Sequence, residues 1–470
     1  MEVVELRDRR ASTRAADRVE VVGRRDRWVG RHAVYIVALG RDVASDILER
    51  GAQPPTVALL PWGDVFEDFL DRLGVSFDEL RREFVGSWIF GYAAALATAG
   101  VRSVIVCPTS RFDEPVAATH EPTGAELRFL PTSRLYGSLR AHRLDRRLEG
   151  RRDPRSLGRA LATHVTPYLG TPPRALLRLI REEGCAALLC QEYEDARFDV
   201  CVAVGRRADV PVFGTFQGAD YQLSRLERPV RPRSIRASAG LIVGARRELE
   251  RVRAAYGVPA QKLAHVVNPV DAGLWRPADG AAIRRELDIP ESALVVTWHG
   301  QMQLRRKGLD VLLDAWQLLG EARDAHLVLV GAGEDAGEVA RRAETRRNVH
   351  LVDEWVQDRE RMRAILSSAD VYVFPSRHEG LPVAPLEAMA CGLPVVGADA
   401  TGVADVVGET GIVVPRDDPD ALARALGELL DDTERRAELG RAARIRVERS
   451  FALEPVGTAL RSFLVDRDAA

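Results

Sequence analysis

Residues 370–400 read DVYVFPSRHEGLPVAPLEAMACGLPVVGADA, and this stretch decides the fold. Two apolar runs of strand length, VYVFP and PVVGADA, enclose a loop and the helical pattern PLEAMACG. Pro382 and Pro385 suit a helix only in its first turn, where the N–H groups lack helical partners. A strand, a helix and a second strand in this order predict one unit of a parallel sheet.

The same alternation continues on both sides of this stretch. Other strand-length runs in the second half of the chain are ALVVTWHG, HLVLVGAG, NVHLVDE and TGIVVP, with helical patterns such as KGLDVLLDAWQLL between them. The first half has its own series, TVALLPW, RSVIVCP, AALLCQEY, DVPVFGTFQ and GLIVG. We therefore predict an α/β fold of two consecutive Rossmann-like, doubly wound domains that face a cleft.

Four segments make up the predicted organisation. Residues 1–54 are predicted to be an N-terminal extension, partly disordered, because they show almost no strand or helix pattern. Residues 55–240 and 241–450 are the two predicted domains, and residues 451–470 a helix that crosses back toward the first. A chain of 470 residues has room for about two or three domains.

The charge balance argues against nucleic acid as a partner. Lys and Arg number 67 against 69 Asp and Glu, a formal net charge of −2, so no global basic field exists. Only Lys262 and Lys307 are lysines. Residues 134–159 carry nine arginines against three acidic residues. This segment either contacts an anionic partner, such as a membrane surface or a charged acceptor, or is a solvated basic stretch.

Cysteine usage and the N-terminus predict a cytoplasmic protein. The five cysteines lie in apolar runs without a CxxC pair, which indicates buried, reduced thiols. The opening MEVVELRDRR is too charged for a signal peptide. Residues 84–101 are uncharged over about the 18 residues that a membrane span requires. Their glycines and the strand that follows favour a buried helix instead. Association with the cytoplasmic face of a membrane would depend on residues 134–159.

The loop WHGQMQLRRKGLD (298–310) follows a predicted strand and leads into a predicted helix. Ligands of open parallel sheets bind beyond the carboxyl ends of the strands. The N–H groups of the helix N-terminus, together with Arg305, Arg306 and Lys307, predict an anion site. A lysine ammonium is a compact point charge that suits a phosphate.

A second loop, SRHEGLPVAPLE (376–387), carries Glu379 and, eight residues later, Glu387. A carboxylate accepts hydrogen bonds from both hydroxyls of a vicinal diol, so two carboxylates beside an anion site are explained by a ribose or a sugar. The alternative is a capping Glu379 and a surface Glu387. The loop VGAGED (330–335) permits close approach of a ligand, but it is equally compatible with a tight turn.

The second half of the chain resembles the donor-binding domain of retaining, GT-B-fold, family-four glycosyltransferases. The resemblance rests on VVNPVD (266–271), on the lysine-containing loop, on LVLVGAGED and on the Glu-x7-Glu element EGLPVAPLE (379–387). It implies transfer of a sugar from a nucleoside-diphosphate sugar to an acceptor hydroxyl with retention of configuration, and no cofactor. The acceptor, a glycan, a lipid or a small molecule, is left open.

The resemblance also implies roles for single residues. Lys307 would bind the donor diphosphate, Glu379 would face the donor sugar, and Glu387 would take the ribose hydroxyls; Lys307 and Glu379 are the implied catalytic residues. Relatives commonly carry an arginine where this chain has Gln301, a departure that Arg305 or Arg306 would have to offset. The implied donor-binding residues are Gly300, Gln301, Arg306, Lys307, Gly308, Gly333, Glu379, Gly380, Leu381, Val383 and Glu387.

The first domain is expected to bind the acceptor. Gly86 matches the glycine loop of the family, where the backbone approaches the donor phosphate. Gln191, Glu192 and Gln217 occupy places where many relatives have a cleft histidine. A glutamine can hold a hydroxyl but cannot act as a base. This fits a same-face route in which the leaving diphosphate itself takes the acceptor proton, while the protein positions the reactants and stabilises charge.

We expect no metal site, because no Asp-x-Asp motif lies near the cleft loops and neither His299 nor His378 has a partner at ligand spacing. Two other functions remain open. One is a catalytically silent sugar-nucleotide-binding protein, and the other is a sugar-nucleotide epimerase of the same fold. A phosphorylase would need a pyridoxal lysine, which a chain with only Lys262 and Lys307 makes an unfavourable reading.

Overall fold

A computed structural model describes residues 2–5, 18–21, 53–61, 63–71, 74–84, 88–143, 165–218, 227–320 and 324–466. Most of the predicted N-terminal extension, the Gly86 loop and residues 144–159 of the arginine-rich segment lie outside these ranges. Strands β1 (Glu2–Glu5) and β2 (Arg18–Val21) form an antiparallel pair. The remaining described strands form two larger sheets.

The first sheet has eight strands in the order β10-β9-β8-β7-β3-β4-β6-β5. All neighbours are parallel except β5, which runs antiparallel to β6 at the edge. Strand β3, TVALL, is buried at every residue, as expected for a strand covered by helices on both faces. The strands are β3 (Thr56–Leu60), β4 (Arg102–Thr109), β5 (Val116–Thr119), β6 (Glu126–Pro131), β7 (Cys185–Gln191), β8 (Val212–Phe216), β9 (Gly240–Val243) and β10 (Leu263–Ala264).

Helices cover both faces of this sheet. A single π-helical turn, Val65–Leu70, follows β3. The described α-helices of this half of the chain are α1 (Phe77–Arg82), α2 (Trp88–Thr98), α3 (Arg134–Arg143), α4 (Pro173–Glu182), α5 (Ala196–Ala208), α6 (Glu227–Ala237) and α7 (Arg246–Tyr256).

The second sheet has six parallel strands in the order β13-β12-β11-β14-β15-β16. The strands are β11 (Leu294–His299), β12 (Ala325–Val330), β13 (Val349–Val352), β14 (Val371–Phe374), β15 (Val395–Ala398) and β16 (Gly411–Val414). The helices are α8 (Ala281–Glu286), α9 (Leu309–Leu319), α10 (Ala336–Glu344), α11 (Arg359–Ser367), α12 (Ala384–Ala390), α13 (Val403–Val407), α14 (Pro419–Asp431) and α15 (Thr433–Ser450). Two helix-covered sheets, one wholly parallel and one parallel except for its edge strand β5, confirm the predicted fold class.

The first sheet extends beyond the predicted boundary at residues 240 and 241. Strand β9 pairs with β8, and β10 pairs with β9, so residues 240–264 complete the first sheet. The sequence pattern already placed GLIVG in the first series, although the predicted limit at residue 240 falls on the first residue of this strand, and the short run at Leu263 adds one more edge strand. The segment between β10 and α8 then leads into the second domain.

The last described helix, α16 (Leu453–Leu464), packs against α2 of the first domain. Val456, Leu460 and Leu464 belong to the same apolar core as α2. Gly457 allows the closest approach, because a Cβ there would lie 2.0 Å from the carbonyl oxygen of Ala95. The apolar residues around α2 are therefore buried by protein, and within the described residues no helix is long and apolar enough to cross a bilayer.

Candidate functional site

The strand order of the second sheet reverses between β11 and β14, and ligands of such sheets bind where the order reverses. The lysine loop (residues 300–308) follows β11, and the glutamate loop (residues 375–383) follows β14. Gly308 joins them. Its φ of +67° and the 2.0 Å that would separate a Cβ from the carbonyl oxygen of Pro375 allow only glycine there.

Lys307 and Glu379 meet across the two loops. The Lys307 Nζ donates a hydrogen bond of 2.7 Å to Glu379 Oε1. Both side chains are mostly buried, with 18% and 10% of their surface exposed, so this charge pair is shielded from water more than a surface ion pair would be. An ammonium has three N–H donors, and a single carboxylate contact leaves two of them for a ligand.

Arg377 fixes the relative position of the two loops from outside the site. Its backbone N–H donates to the carbonyl of Arg306, and its Nη1 lies 2.6 Å from Asp310 Oδ1. Burial alone would raise the pKa of Asp310, but hydrogen bonds from Arg377 and the charges of Arg377 and Arg305 hold it below its ordinary value. Asp310 also binds Arg305 at 3.0 Å. Both Arg305 and Arg306 are exposed, but Arg305 already has a partner in Asp310.

Glu387 also has a partner, one that the sequence did not predict. His299 Nε2 lies 2.9 Å from Glu387 Oε2. His299 is the last residue of β11 and is 7% exposed, and its carbonyl oxygen accepts a hydrogen bond from the Tyr372 hydroxyl. The imidazole can donate Nε2–H and so fix the direction of the carboxylate. The sequence signal that could have indicated this role was a polar residue, His299, at the end of a buried strand and next to a glycine.

The backbone of the glutamate loop presents unused donors. In the part of the chain that the structure describes, the N–H groups of Gly380, Leu381 and Val383 donate to no acceptor. The family resemblance implies that these three residues bind the donor. Of the remaining predicted donor residues, Gly300 lies beside Gly331, and Gly333 packs on the backbone of Met302. Gln301, between Gly300 and Met302, is half-buried.

Gln217 is engaged in a contact between the two domains. Its Oε1 accepts a hydrogen bond of 2.8 Å from Asn268 Nδ2, and its Nε2 donates to Asn268 Oδ1 at 3.1 Å. Asn268 Nδ2 also donates to the carbonyl of Leu381 at 2.9 Å. Beside it, the backbone of Gly218 packs on that of Gly380. The amide that was predicted to hold an acceptor hydroxyl thus joins the first domain to the glutamate loop.

The other predicted acceptor residues lie at the end of β7. Glu192 accepts a hydrogen bond of 2.9 Å from the Gln217 N–H. Gln191 lines a cavity of about 140 Å³ together with Asp64 and Asp68. Burial raises the pKa of Asp64 to about 6, although Arg197 and Arg140 oppose this shift. Gly86 lies outside the described residues.

A larger cavity, of about 320 Å³, lies between the two domains. Second-domain residues on its wall include His299, Gly300, Val383 and Glu387, and the first domain contributes α2 with Trp88. Glu387 therefore faces the space between the two domains. Among the described residues no group of three or more His, Cys, Asp and Glu side chains is arranged to hold a metal ion.

Residues 293–432 match the family described as Glycosyl transferases group 1. This range contains the lysine loop, the glutamate loop and the whole second sheet. This matched part of the second domain is therefore similar to the Glycosyl transferases group 1 family. The group 1 assignment confirms the family resemblance that the Glu-x7-Glu element indicates.

The chain is also similar to named proteins over about half of its length. The chain is 33% identical over 229 residues to the GDP-mannose-dependent monoacylated alpha-(1-6)-phosphatidylinositol monomannoside mannosyltransferase of Corynebacterium glutamicum, which covers 46% of this chain and 59% of that protein. A D-inositol 3-phosphate glycosyltransferase of Xylanimonas cellulosilytica is 32% identical, over 56% of its length. The chain thus spans less than two thirds of these relatives.

Solved structures show the same fold over most of the chain. The sucrose-phosphate synthase of Thermosynechococcus elongatus superimposes with a TM-score of 0.62 at 20% identity, covering 88% of this chain and 99% of that one. HepE of Anabaena, in complex with UDP and glucose, gives a TM-score of 0.61 at 15% identity, covering 87% and 99%. The two domains therefore have the predicted GT-B fold.

Proposed function

We propose that this protein is a retaining glycosyltransferase, which moves the sugar of a nucleoside-diphosphate sugar to an acceptor hydroxyl without a divalent metal ion. The observation that carries the proposal is the Lys307–Glu379 pair at the point where the strand order reverses. A buried cation beside three unused backbone N–H groups suits a diphosphate. A bound ribose would reach Glu387, whose carboxylate His299 holds in place.

The names of similar proteins support the choice of donor. The Corynebacterium relative is named as GDP-mannose-dependent, and HepE was solved with UDP and glucose. Both descriptions pair a nucleotide with a sugar. The two carboxylates of the Glu-x7-Glu element, Glu379 and Glu387, offer one hydrogen-bond acceptor group for a donor sugar and one for a ribose diol.

In the proposed reaction the bond between the anomeric carbon and the terminal phosphate oxygen breaks while the acceptor oxygen attacks the same face. The acceptor proton passes to the departing phosphate oxygen, so no protein base is needed. Lys307 stabilises the negative charge that grows on the diphosphate, and the backbone N–H groups of the glutamate loop add to this effect. Glu379 keeps the Lys307 ammonium in position before the donor arrives.

The acceptor side of the proposal rests on the first domain. Gln191 is the better of the two predicted glutamines for holding a hydroxyl, since it lines a cavity while the Gln217 amide is bonded to Asn268. The acceptor class, glycan, lipid or small molecule, is left to experiment, as is contact of residues 134–159 with a membrane surface. In that segment Arg140 already binds Asp64 and Asp68.

The test uses water as a surrogate acceptor. The full chain is incubated with UDP-, GDP-, ADP- and TDP-sugars in excess chelator, and release of nucleoside diphosphate and the anomer of the freed sugar are followed by proton NMR. We expect slow hydrolysis of one donor, with α-sugar first from an α-linked donor, and its loss in Lys307→Gln.

Each of the other outcomes would contradict one part of the proposed function. Binding without hydrolysis would indicate a silent binding protein, and a mixture of sugar nucleotides from donor alone would indicate an epimerase. Loss of hydrolysis on chelation, restored by Mg²⁺ or Mn²⁺, would overturn metal independence. A β-sugar as first product would overturn retention.

A further inference from the structure

One wall of the interdomain cavity is used by neither the lysine loop nor the glutamate loop. It is formed by the connection from β13 to α11, where Trp355, Val356 and Gln357 line the space and Arg359 begins the helix. Glu387 lines the same cavity. Whatever is attached to a ribose held by Glu387 would therefore face this wall.

Gln357 has an unused acceptor there. Its Oε1 is buried and has no hydrogen-bond partner in the described part of the chain. A buried acceptor left without a donor costs about 1–3 kcal/mol, so such an atom on a cavity wall is best explained by a ligand that donates to it.

Arg359 has an unused set of donors. It is half-buried, and it forms no ion pair or hydrogen bond with any residue that the structure describes. Burial lowers the pKa of its guanidinium, while the charges of Asp271 and Glu387 raise it. Among the cavity-lining residues Arg359 is the sole lysine or arginine. Arg377, another half-buried arginine near the site, has a carboxylate partner in Asp310.

The Arg359 guanidinium and Gln357 Oε1 together indicate which hydrogen-bonding edge a base on this wall would present. A guanidinium donates two parallel hydrogen bonds, which match the adjacent O6 and N7 acceptors of guanine. Guanine also carries N1–H and N2–H groups, which can donate to the unpartnered acceptor Gln357 Oε1. Adenine offers an amino donor beside N7, and uracil has no pair of adjacent acceptors on one edge, so neither satisfies the arginine fork as well.

We infer that Arg359 and Gln357 read the base of the donor, and that this base is guanine. The inference rests on the proposed function, since it places the base next to a ribose at Glu387. Trp355 on the same wall offers an aromatic surface for the base. The donor would then be a GDP-sugar, and the interdomain cavity would be the nucleoside part of its site.

Calorimetric titration of the full chain with GDP, UDP, ADP and TDP tests this. We expect GDP to bind at least tenfold more tightly than the other three. Arg359→Gln should weaken GDP about tenfold or more, and Gln357→Leu should weaken it about tenfold, while both leave the affinity for UDP within about twofold, since the ribose and diphosphate contacts are unchanged. Unchanged thermal unfolding will show that the variants are folded.

Arg361→Gln is the matched control. Arg361 lies on the same helix but binds Glu286 and Glu354 at the surface, so its loss should not alter GDP affinity. Tighter binding of UDP, ADP or TDP, or equal loss of all four nucleotides in Arg359→Gln, would overturn the inference and leave the proposed function standing. If none of the four nucleotides binds, the proposed function fails as well.

Discussion

The ammonium of Lys307 lies 2.7 Å from Glu379 Oε1, so the cation at the proposed phosphate site is held in place before any ligand binds. A preorganised charge costs little reorganisation when negative charge develops on a leaving group. Because one of three ammonium donors is used, the pair both positions Lys307 and leaves it able to bind phosphate oxygens.

Lys307→Arg should lower turnover by about tenfold to a hundredfold although the charge is kept. A planar guanidinium spreads its charge over a fork and cannot place a compact charge on the diphosphate as an ammonium does. The measurement is the rate of donor hydrolysis at saturating donor. Lys262→Arg is the matched control, because Lys262 donates to the carbonyls of Arg236 and Ser238, outside the lysine loop. Wild-type turnover in Lys307→Arg would mean that the lysine is incidental.

Gln301→Arg should tighten nucleoside diphosphate binding by up to about tenfold, since a charge-assisted hydrogen bond contributes about 1.5 kcal/mol. Gln301 is half-buried in the lysine loop, and Arg305 cannot replace it without leaving Asp310. Isothermal calorimetry measures the effect. No gain in affinity would indicate that the exposed Arg306 already supplies the second cation, which Arg306→Gln would then reveal as a loss.

Glu387→Ala should weaken nucleotide binding by about 1.5–3 kcal/mol, because it removes charge-assisted hydrogen bonds to a diol. His299→Ala should weaken it less, by releasing the carboxylate. The two effects should not add: a double-mutant cycle should give a coupling energy of about 1 kcal/mol, since His299 acts through Glu387. If the two losses of binding free energy are fully additive, His299 does not position the Glu387 carboxylate. An unchanged dissociation constant in Glu387→Ala would show that Glu387 does not bind the ribose. Glu428→Ala, at the surface, is the control.

Asn268→Ala should reduce both turnover and stability. The change leaves the Gln217 amide and the Leu381 carbonyl without their partner, at a cost of about 1–3 kcal/mol in unfolding free energy. It also removes the hydrogen bond from Asn268 to the Leu381 carbonyl, which helps to hold the glutamate loop beside the first domain. Urea unfolding and turnover measure the two effects. Gln217→Ala added to Asn268→Ala should cost little more, because the pair is already broken; a double variant with fully additive losses would contradict the shared contact.

His120 makes stability depend on pH. It is buried, stacks on Phe90 and contacts the Phe84 carbonyl, and burial lowers its pKa from 6.5 to about 4. The unfolded chain therefore binds more protons between pH 4 and 6.5, so stability present above pH 6.5 is lost as the pH falls. From pH 7.5 to 5.5 the loss from this group is about 1.3 kcal/mol. Urea unfolding of His120→Gln should show a pH dependence smaller by that amount; an equal dependence would contradict it.

The periodicity of the chain was sufficient for the fold, because short apolar runs alternating with helical patterns allow few arrangements other than parallel sheets. The predicted strands VYVFP and PVVGADA became neighbours β14 and β15. The predicted limit at residue 240 left out β9, although its sequence GLIVG was in the first series, and it left out the two-residue edge strand at Leu263, which carries no periodic signal. Local pattern cannot show which sheet a short strand joins.

The candidate site was predicted less completely. Motif spacing indicated Lys307, Glu379 and Glu387, because each lies on one loop of the sheet. It did not indicate His299 as partner of Glu387 or Asn268 as partner of Gln217, since these pairs join residues 88 and 51 positions apart. Contacts between distant segments depend on the packing of the two domains, and a single sequence contains no direct record of it.

The helix α16 has a consequence for the order in which this protein is made. Its residues Val456, Leu460 and Leu464 are part of the core that also contains α2, so the first domain uses side chains from near the end of the described chain. During synthesis the ribosome produces α2 more than 350 residues before α16, and the apolar face of α2 is left without its cover while the whole second domain emerges. The first domain is therefore the last to be completed, although it is the first to be translated.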